Sequence, residues 1–518
     1  MIRLILLSII AGVFYAAGFP ILGSTYYCFP APIIAFYIFG RIIYQNKSLK
    51  KQIVAWAFFS IGFYLLGFNW IPYTLYEFGN VEAPLNQIIG FLSFTVLLPP
   101  VLIFILAIKL SNKYLSAEWI EHLKKPLNIS IIATITLENL PSQFPAFPGH
   151  SWLFLTPYLG LGSIFGSSIY TFFSFFLSTQ FIFNKPSKKF ILKVAAQISF
   201  FLFLNLLLTY IQNNFEYQKE KVNIRVVQAN IGNDSKTASE KGDIKSVYEI
   251  FSTYYDLSLK TSQTPFDLII WPETAFPYNI NTNSIRKNIY NVPNLVEEIL
   301  NLSNSNLFFG VRDAPKEDTL YNSGMFIKSD FQFDIYYKNK LLPFGEDLPL
   351  GPLTPYAKPY FRSIAFFDKG YKTKVFKLKD QISFSSMICY EVLFPNLIFN
   401  QLRIEKDFPS FFVNITNDSW YGNTSEPEQH LFLSRWRAIE FGIPLIRSTN
   451  TGISTIIRPN GNYGRRLEYN VEGVLDEEIE IRKDYRSFFS KTGSYFFIFI
   501  GLFTVFVGYS LRKRKALF

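Results

Sequence analysis

Ile382-Ser383-Phe384-Ser385-Ser386-Met387-Ile388-Cys389-Tyr390-Glu391 is the stretch on which the reading of this chain turns. Its first seven residues form an apolar, β-branched run of strand length. One of only two cysteines in the chain stands where such a strand would stop and a turn begin. Strand ends fix a side chain while the following loop leaves it open, which suits a nucleophile. Two other stretches share the plan. Asp267-Leu268-Ile269-Ile270-Trp271-Pro272-Glu273 is a buried-strand pattern closing on a carboxylate, and Phe333–Tyr337 is a short strand pattern followed by Lys338, Lys340 and Glu346.

Around these stretches, residues 222–488 alternate short β-rich runs with amphipathic helical ones. Strands are predicted at Val222–Gln228, Leu268–Trp271, Leu307–Val311, Gly324–Ile327, Phe333–Tyr337, Ile382–Ile388, Phe411–Thr416, Leu445–Ser448 and Ile453–Arg458, and helices at 242–260, 292–303 and 427–441. In the first helix Ile244, Val247, Ile250, Phe251, Tyr254 and Leu257 recur at helical spacing. The runs at 268, 382 and 411 are apolar on both faces, as strands covered by helices are. The pattern predicts an α/β domain of layered sheets and helices.

The rest of the chain is of another kind. Of 518 residues 49% are hydrophobic and 18% aromatic, with 57 phenylalanines, and only 17% are charged, against roughly 25% in ordinary soluble proteins. Apolar stretches occur at 3–20, 28–45, 53–74, 87–110, 127–139, 159–183, 194–211 and 494–510. A spanning helix needs about 20 such residues, and the fifth stretch falls short. These predict about eight spans: a membrane domain of seven at 1–212, an extracytoplasmic domain at 213–493, and a last span with a basic tail at 494–518.

Charge placement sets the orientation. Lys47, Lys50 and Lys51 follow the second stretch, and Lys109, Lys113, Lys124 and Lys125 flank the gap after the fourth. Lys185, Lys188, Lys189 and Lys193 follow the sixth, and Arg512–Lys515 the eighth. The loops at Glu77–Glu82 and Glu138–His150 hold no lysine or arginine. By the positive-inside rule both termini are cytoplasmic. Much of the net charge of +11 is therefore topological, which argues against nucleic acid as a partner. Two distant cysteines and three histidines (His122, His150, His430) imply neither a disulfide framework nor a metal site.

A cysteine nucleophile needs a base or a positive neighbour. His430 lies within a predicted helix, and the other two histidines fall in the membrane part. A glutamate and a lysine at strand ends offer the same functions: the carboxylate takes the thiol proton and the ammonium steadies the oxyanion. Each residue taken alone has a bland reading, Cys389 as inert core and Lys338 or Lys340 as surface charge. Their shared position after strand-like runs is what joins them.

The motifs Val227-Gln228-Ala229-Asn230-Ile231, Ile270-Trp271-Pro272-Glu273-Thr274-Ala275, Tyr336-Tyr337-Lys338, Pro343-Phe344-Gly345-Glu346 and Ile388-Cys389-Tyr390-Glu391 resemble those of the apolipoprotein N-acyltransferases, membrane proteins with a nitrilase-like αββα domain. Thr416-Asn417-Asp418-Ser419-Trp420-Tyr421-Gly422, Gln429-His430-Leu431, Arg437-Ala438-Ile439-Glu440 and Arg447–Ser454 extend the resemblance. In the membrane part so do Gly18-Phe19-Pro20 and Gly67-Phe68-Asn69-Trp70.

The resemblance implies a catalytic triad of Glu273, Lys338 and Cys389, with Lys338 chosen over Lys340 because it stands eight positions before Glu346. Glu346 would orient the lysine or the substrate amine, and Tyr390 and Glu391 would shape the pocket. The implied reaction is ping-pong. Cys389 takes an acyl group from a membrane phospholipid as a thioester, then passes it to the α-amine of a diacylglyceryl-cysteine on a lipoprotein precursor. No cofactor or metal is required, and the setting is a bacterial inner membrane with the catalytic domain facing the periplasm. A membrane-tethered amidase, or transfer to another acceptor, is the alternative. Departures from the family pattern are Lys236-Thr237, where a Lys-Trp pair is usual, residues 147–152 near the fifth stretch, and Ala229. Leu348, Leu350, Leu353, Tyr356, Tyr360, Phe361, Phe366 and Phe367 predict a lid that dips into the membrane interface.

Overall fold

The structure is a computed structural model. It describes the whole chain except residues 22, 78, 80, 263, 344, 349, 350, 361–364, 406, 484 and 516–518, and the side chains of 357, 360, 514 and 515. Leu350, Phe361 and the Tyr360 side chain of the expected lid, and Phe344, thus lie outside the described residues.

Among the described residues thirteen strands build two sheets: β1 (Lys219–Gln228), β2 (Leu268–Ile270), β3 (Asn279–Ile280), β4 (Asn306–Asp313), β5 (Tyr321–Ile327), β6 (Phe333–Tyr337), β7 (Val375–Lys379), β8 (Ile382–Ile388), β9 (Phe411–Thr416), β10 (Leu445–Thr449), β11 (Ser454–Ile457), β12 (Tyr463–Leu467) and β13 (Gly473–Arg482). The first sheet has the order β13-β1-β2-β4-β5-β6, with β3 beside β4, and the second β12-β11-β10-β9-β8-β7. In each, three central strands run parallel (β1-β2-β4 and β8-β9-β10) and the flanks are antiparallel. Three of these six central parallel strands, β2, β8 and β9, are the runs that read as apolar on both faces, because sheet lies on one side and helix on the other.

Between the sheets, Phe384 meets Phe308, Phe326 and Phe376 at ring-centre distances of 5.3, 5.2 and 5.0 Å. All four rings are buried. Deleting one such ring costs about 3–5 kcal/mol. Helices Ile244–Leu259 and Asn294–Ser303 cover the outer face of the first sheet with Ile250, Tyr254, Val296 and Ile299. Helix Glu426–Phe441 covers the second and is buried along nearly its whole length, because its far side meets the amino-terminal helices.

That helix explains two of the short amino-terminal motifs. Gln429 Nε2 donates to the carbonyls of Pro20 (2.9 Å) and Gly67 (2.8 Å), and Trp70 Nε1 donates to Gln429 Oε1 at 3.2 Å. The ends of two apolar helices are therefore tied to one side chain of the α/β domain. In the departing stretch 147–152, Trp152 Nε1 donates to Ser174 Oγ at 2.9 Å, and the His150 carbonyl lies 3.4 Å from Trp436 Nε1.

All eight apolar stretches contain helix, but they do not make eight full spans. Among the described residues three helices are long and apolar enough to cross a bilayer: Leu49–Gly67, Lys188–Asn214 and Tyr495–Lys513. The fourth stretch is the bent pair Leu85–Leu97 and Pro99–Tyr114, turned by 43° where Pro99 and Pro100 interrupt the backbone ladder. Ile2–Ala16, Ala31–Gln45, Pro126–Asn139 and Ser168–Phe183 have 14 to 16 residues. At 1.5 Å per residue such helices reach only about 21–24 Å of a hydrocarbon core about 30 Å thick.

Candidate active site

Glu273, Lys338, Glu346 and Cys389 come from four places in the sequence and meet where the carboxyl ends of β2 and β8 face the end of β6. Lys338 is 1% exposed. Its Nζ lies 3.1 Å from Glu273 Oε1, and 2.9 and 2.8 Å from the two oxygens of Glu346. Burial alone would pull the ammonium down, but the two carboxylates and Cys389 outweigh it and hold it well above the usual lysine range. Lys340 is half-buried and points elsewhere, its Nζ 4.1 Å from the Phe394 ring centre. The structure brings Lys338, not Lys340, to the carboxylates.

Cys389 is buried and has a φ of +49°. A non-glycine residue in the left-handed region costs of order 1–3 kcal/mol and persists only where its surroundings hold it. Here the strain turns the chain from β8 into the 3₁₀ turn Cys389–Leu393. Thr274, the residue after Glu273, is likewise at φ +45°, rare for a β-branched residue. Burial, and then the charge of Glu273, push the Cys389 thiol well above the ordinary range, while Lys338 pulls the other way.

Glu391, expected to shape the pocket, is a buried acceptor of several hydrogen bonds. Its carboxylate accepts from the backbone N–H groups of Ile388 (2.8 Å), Asn339 (2.6 Å) and Lys340 (2.9 Å), and from the Tyr336 hydroxyl (2.9 Å). It clamps the lysine loop to the cysteine strand. Burial pushes its pKa up, and these donors oppose the shift. The Tyr390 hydroxyl donates to the Gln143 carbonyl, joining the cysteine turn to the amino-terminal half.

Residues 223–483, just over half the chain, match the carbon-nitrogen hydrolase family. The chain belongs to that family. A protein of Bdellovibrio bacteriovorus named apolipoprotein N-acyltransferase is 28% identical over 484 residues, covering 85% of this chain and 83% of its own. Others of that name, from Haemophilus ducreyi and Coxiella burnetii, are 27% and 26% identical, covering 87% and 92% of this chain and 86% and 93% of theirs. The similarity therefore takes in the apolar helices as well as the carbon-nitrogen hydrolase domain.

Three parts of this candidate site lie outside the residues that the sequence singled out. Asn322, on β5, donates through Nδ2 to Glu273 Oε1 (2.7 Å) and Glu346 Oε1 (2.6 Å), spanning the two carboxylates. An asparagine inside a strand is disfavoured, and that was the available signal. Asn417 was quoted only as part of a motif; its N–H donates to Glu273 Oε2 at 3.0 Å. On the other side of Cys389, Asn414 Nδ2 donates to the carbonyls of Met387 (3.1 Å) and Cys389 (3.3 Å). Arg447 in turn donates to Asn414 Oδ1 and to Asp418 Oδ2, both at 2.8 Å. This chain of bonds holds the strained cysteine backbone from behind.

His430, in helix Glu426–Phe441, stands in this second cluster, 3.2 Å from Arg447 Nη2 and 3.5 Å from Asp418. Burial, and then the neighbouring Arg447, lower its pKa, while Asp418 opposes the shift. Asp418, Glu426 and His430 have the spacing of a metal-ligand set, but the Arg447 guanidinium already supplies the positive partner. Burial and Asp418 push Glu426 well above the carboxylate range. At the departure Lys236-Thr237, the Lys236 amine donates to the Thr274 hydroxyl beside Glu273. The segment that follows Glu346 carries Leu353 and Tyr356 exposed and Leu348 buried, and returns where Phe367 N–H donates to the Glu346 carbonyl at 3.1 Å.

Proposed function

We propose that this chain is a phospholipid-dependent N-acyltransferase that completes the acylation of diacylglyceryl-cysteine lipoproteins, with Glu273, Lys338 and Cys389 as its catalytic triad. The observation that carries the reading is the buried lysine shared by two carboxylates beside a strained, buried cysteine. The similarity to proteins named apolipoprotein N-acyltransferase along most of their length supports the choice of substrate class.

In this reading Glu273 takes the Cys389 proton as sulfur attacks the acyl ester carbon. A thiol kept neutral by burial needs a base at that moment. Lys338 carries the charge that develops on the carbonyl oxygen, and Glu346 holds the ammonium in place. Collapse of the tetrahedral intermediate breaks the ester bond. The lysophospholipid alkoxide leaves with the proton from Glu273, and the acyl group stays on sulfur. The α-amine of the lipoprotein cysteine then attacks the thioester. Glu273 takes the amine proton and returns it to the departing thiolate, leaving an amide and free enzyme. Tyr390 would line the path to the membrane, and the segment 348–367 would admit acyl chains as a lid.

The placement follows from the substrates. The domain at 213–493 faces outward, the periplasm in a two-membrane bacterium, with helices at 1–212 and 494–518 in the inner membrane and both termini cytoplasmic. The test is transfer of a labelled acyl chain from phospholipid in vesicles to a synthetic diacylated lipopeptide. Wild-type protein should form the triacylated peptide and Cys389→Ala should not. Release of free fatty acid with no peptide product would instead favour the amidase reading.

A further inference from the structure

The amino-terminal helices line a partly open cavity of about 610 Å³ at the end away from Cys389. Its walls are apolar, with Phe36, Ile105, Ala133 and Phe175 from four different helices. One end is different: Lys47, Lys109 and Lys124 gather there, and no aspartate or glutamate is among the lining residues. The Lys109 amine donates to the Lys47 carbonyl, which draws two of the three together. We propose that this cavity binds one anionic phospholipid, its acyl chain between the helices and its phosphate at the three lysines, at a site separate from the reacting cysteine.

Three further observations support that occupant. Gln52 lines the lysine end and is 7% exposed; its Nε2 donates to the carbonyls of Ile43 (3.0 Å) and Asn46 (2.8 Å), but its Oε1 accepts nothing. A buried acceptor without a donor costs about 1–3 kcal/mol, and a headgroup bearing hydroxyls beside its phosphate supplies the donor. The dimensions also fit. From Pro100 to Asn112 the lining follows its helix for about 18 Å, close to one leaflet of a core about 30 Å thick. Finally, the site lies far from the chemistry. On helix Leu49–Gly67, Gln52 sits about 22 Å along the axis from Gly67, and the Gly67 carbonyl is the one held by Gln429 of the α/β domain. Three lysines with no acid among them favour a net negative headgroup over a zwitterionic one.

The test uses the full-length protein with Cys389→Ala, so that no acyl transfer consumes the probe. It is equilibrated with phosphatidylglycerol or with phosphatidylcholine of the same chains, and lipid retention is read by native mass spectrometry. Phosphatidylglycerol should be retained at least tenfold over phosphatidylcholine, as one tightly held copy. Joint Lys47→Gln, Lys109→Gln and Lys124→Gln should remove that preference, and the matching arginine variant should keep it. Ala133→Trp, which fills the apolar part with the lysines intact, should also lower retention. Equal retention of the two lipids, or a glutamine variant that still prefers phosphatidylglycerol, would overturn the proposal. So would displacement of the lipid by glycerol phosphate alone, because the chain would then contribute nothing.

Discussion

Lysine is placed in two opposite ways at the two ends of this molecule. Lys338 is fully enclosed and has both carboxylates of its site within 3.1 Å. Lys47, Lys109 and Lys124 line an apolar cavity that no carboxylate shares. In the first case the fold supplies the counter-charge and holds the ammonium in place. In the second no aspartate or glutamate lies among the lining residues, and on the proposed reading the counter-charge is a lipid phosphate. The two settings differ in burial and pairing, and on the proposed readings that difference separates a lysine that serves the chemistry from lysines that recruit a lipid.

The sharpest way to break this contrast is to remove Lys338. Lys338→Met leaves Glu273 and Glu346 facing each other without a cation, and breaking a buried pair costs about 3–5 kcal/mol. Acyl transfer should fall at least a thousandfold, and denaturant unfolding should register the stability loss. Glu346→Gln keeps the shape but removes one of the two charges, and should lower kcat more than it raises KM. Glu391→Gln tests positioning through the backbone. It replaces an acceptor of four hydrogen bonds with a group bearing a single acceptor oxygen, and each donor left unpaired costs about 1–3 kcal/mol. Activity should fall about 10–100-fold, with the loss in kcat.

A smaller effect is expected in thiol reactivity. Burial and Glu273 raise the Cys389 thiol and Lys338 opposes them. In a Cys28→Ser background, alkylation of Cys389 should therefore keep climbing above pH 8.5, about where an ordinary thiol titrates. Glu273→Gln removes the repelling charge and should speed alkylation at neutral pH while abolishing transfer; slower alkylation in that variant would contradict the assigned electrostatics. The raised Lys338 also sets a sign for stability. Its contribution is fully present below the ordinary lysine pKa of about 10.4 and is lost as pH rises through the higher folded value. Alkaline unfolding should be steeper in wild type than in Lys338→Met.

Much of the α/β half was legible because its central strands are local apolar runs. Ile382–Ile388 and Phe411–Thr416 coincide with the central strands β8 and β9 and Phe333–Tyr337 with the edge strand β6, and they end one residue before Cys389, Asn417 and Lys338. The strands that were missed carry their pattern elsewhere. β13, with Asp476, Glu477, Glu478 and Glu480, reads as polar surface until its partner β1 supplies Lys219 and Lys221 across the ladder. β7 alternates Val375, Phe376, Lys377, Leu378 and Lys379 at a sheet edge. Asn322 and Arg447 were illegible as site residues for a similar reason: each acts on groups far from it in sequence. The membrane half failed differently. Each apolar stretch contains helix, but Ala117–Leu123 lies outside all of them, Pro99 and Pro100 bend the fourth, and composition alone does not register length.

The claim on which the rest depends is that Cys389 carries the acyl group. The direct measurement is the intact mass of purified protein after incubation with phospholipid and no acceptor, beside Cys389→Ala. The account predicts a gain of one fatty acyl group in the wild type alone, discharged when a diacylated lipopeptide is added. No gain in mass, under conditions where Cys389 still reacts with a thiol reagent, would contradict it.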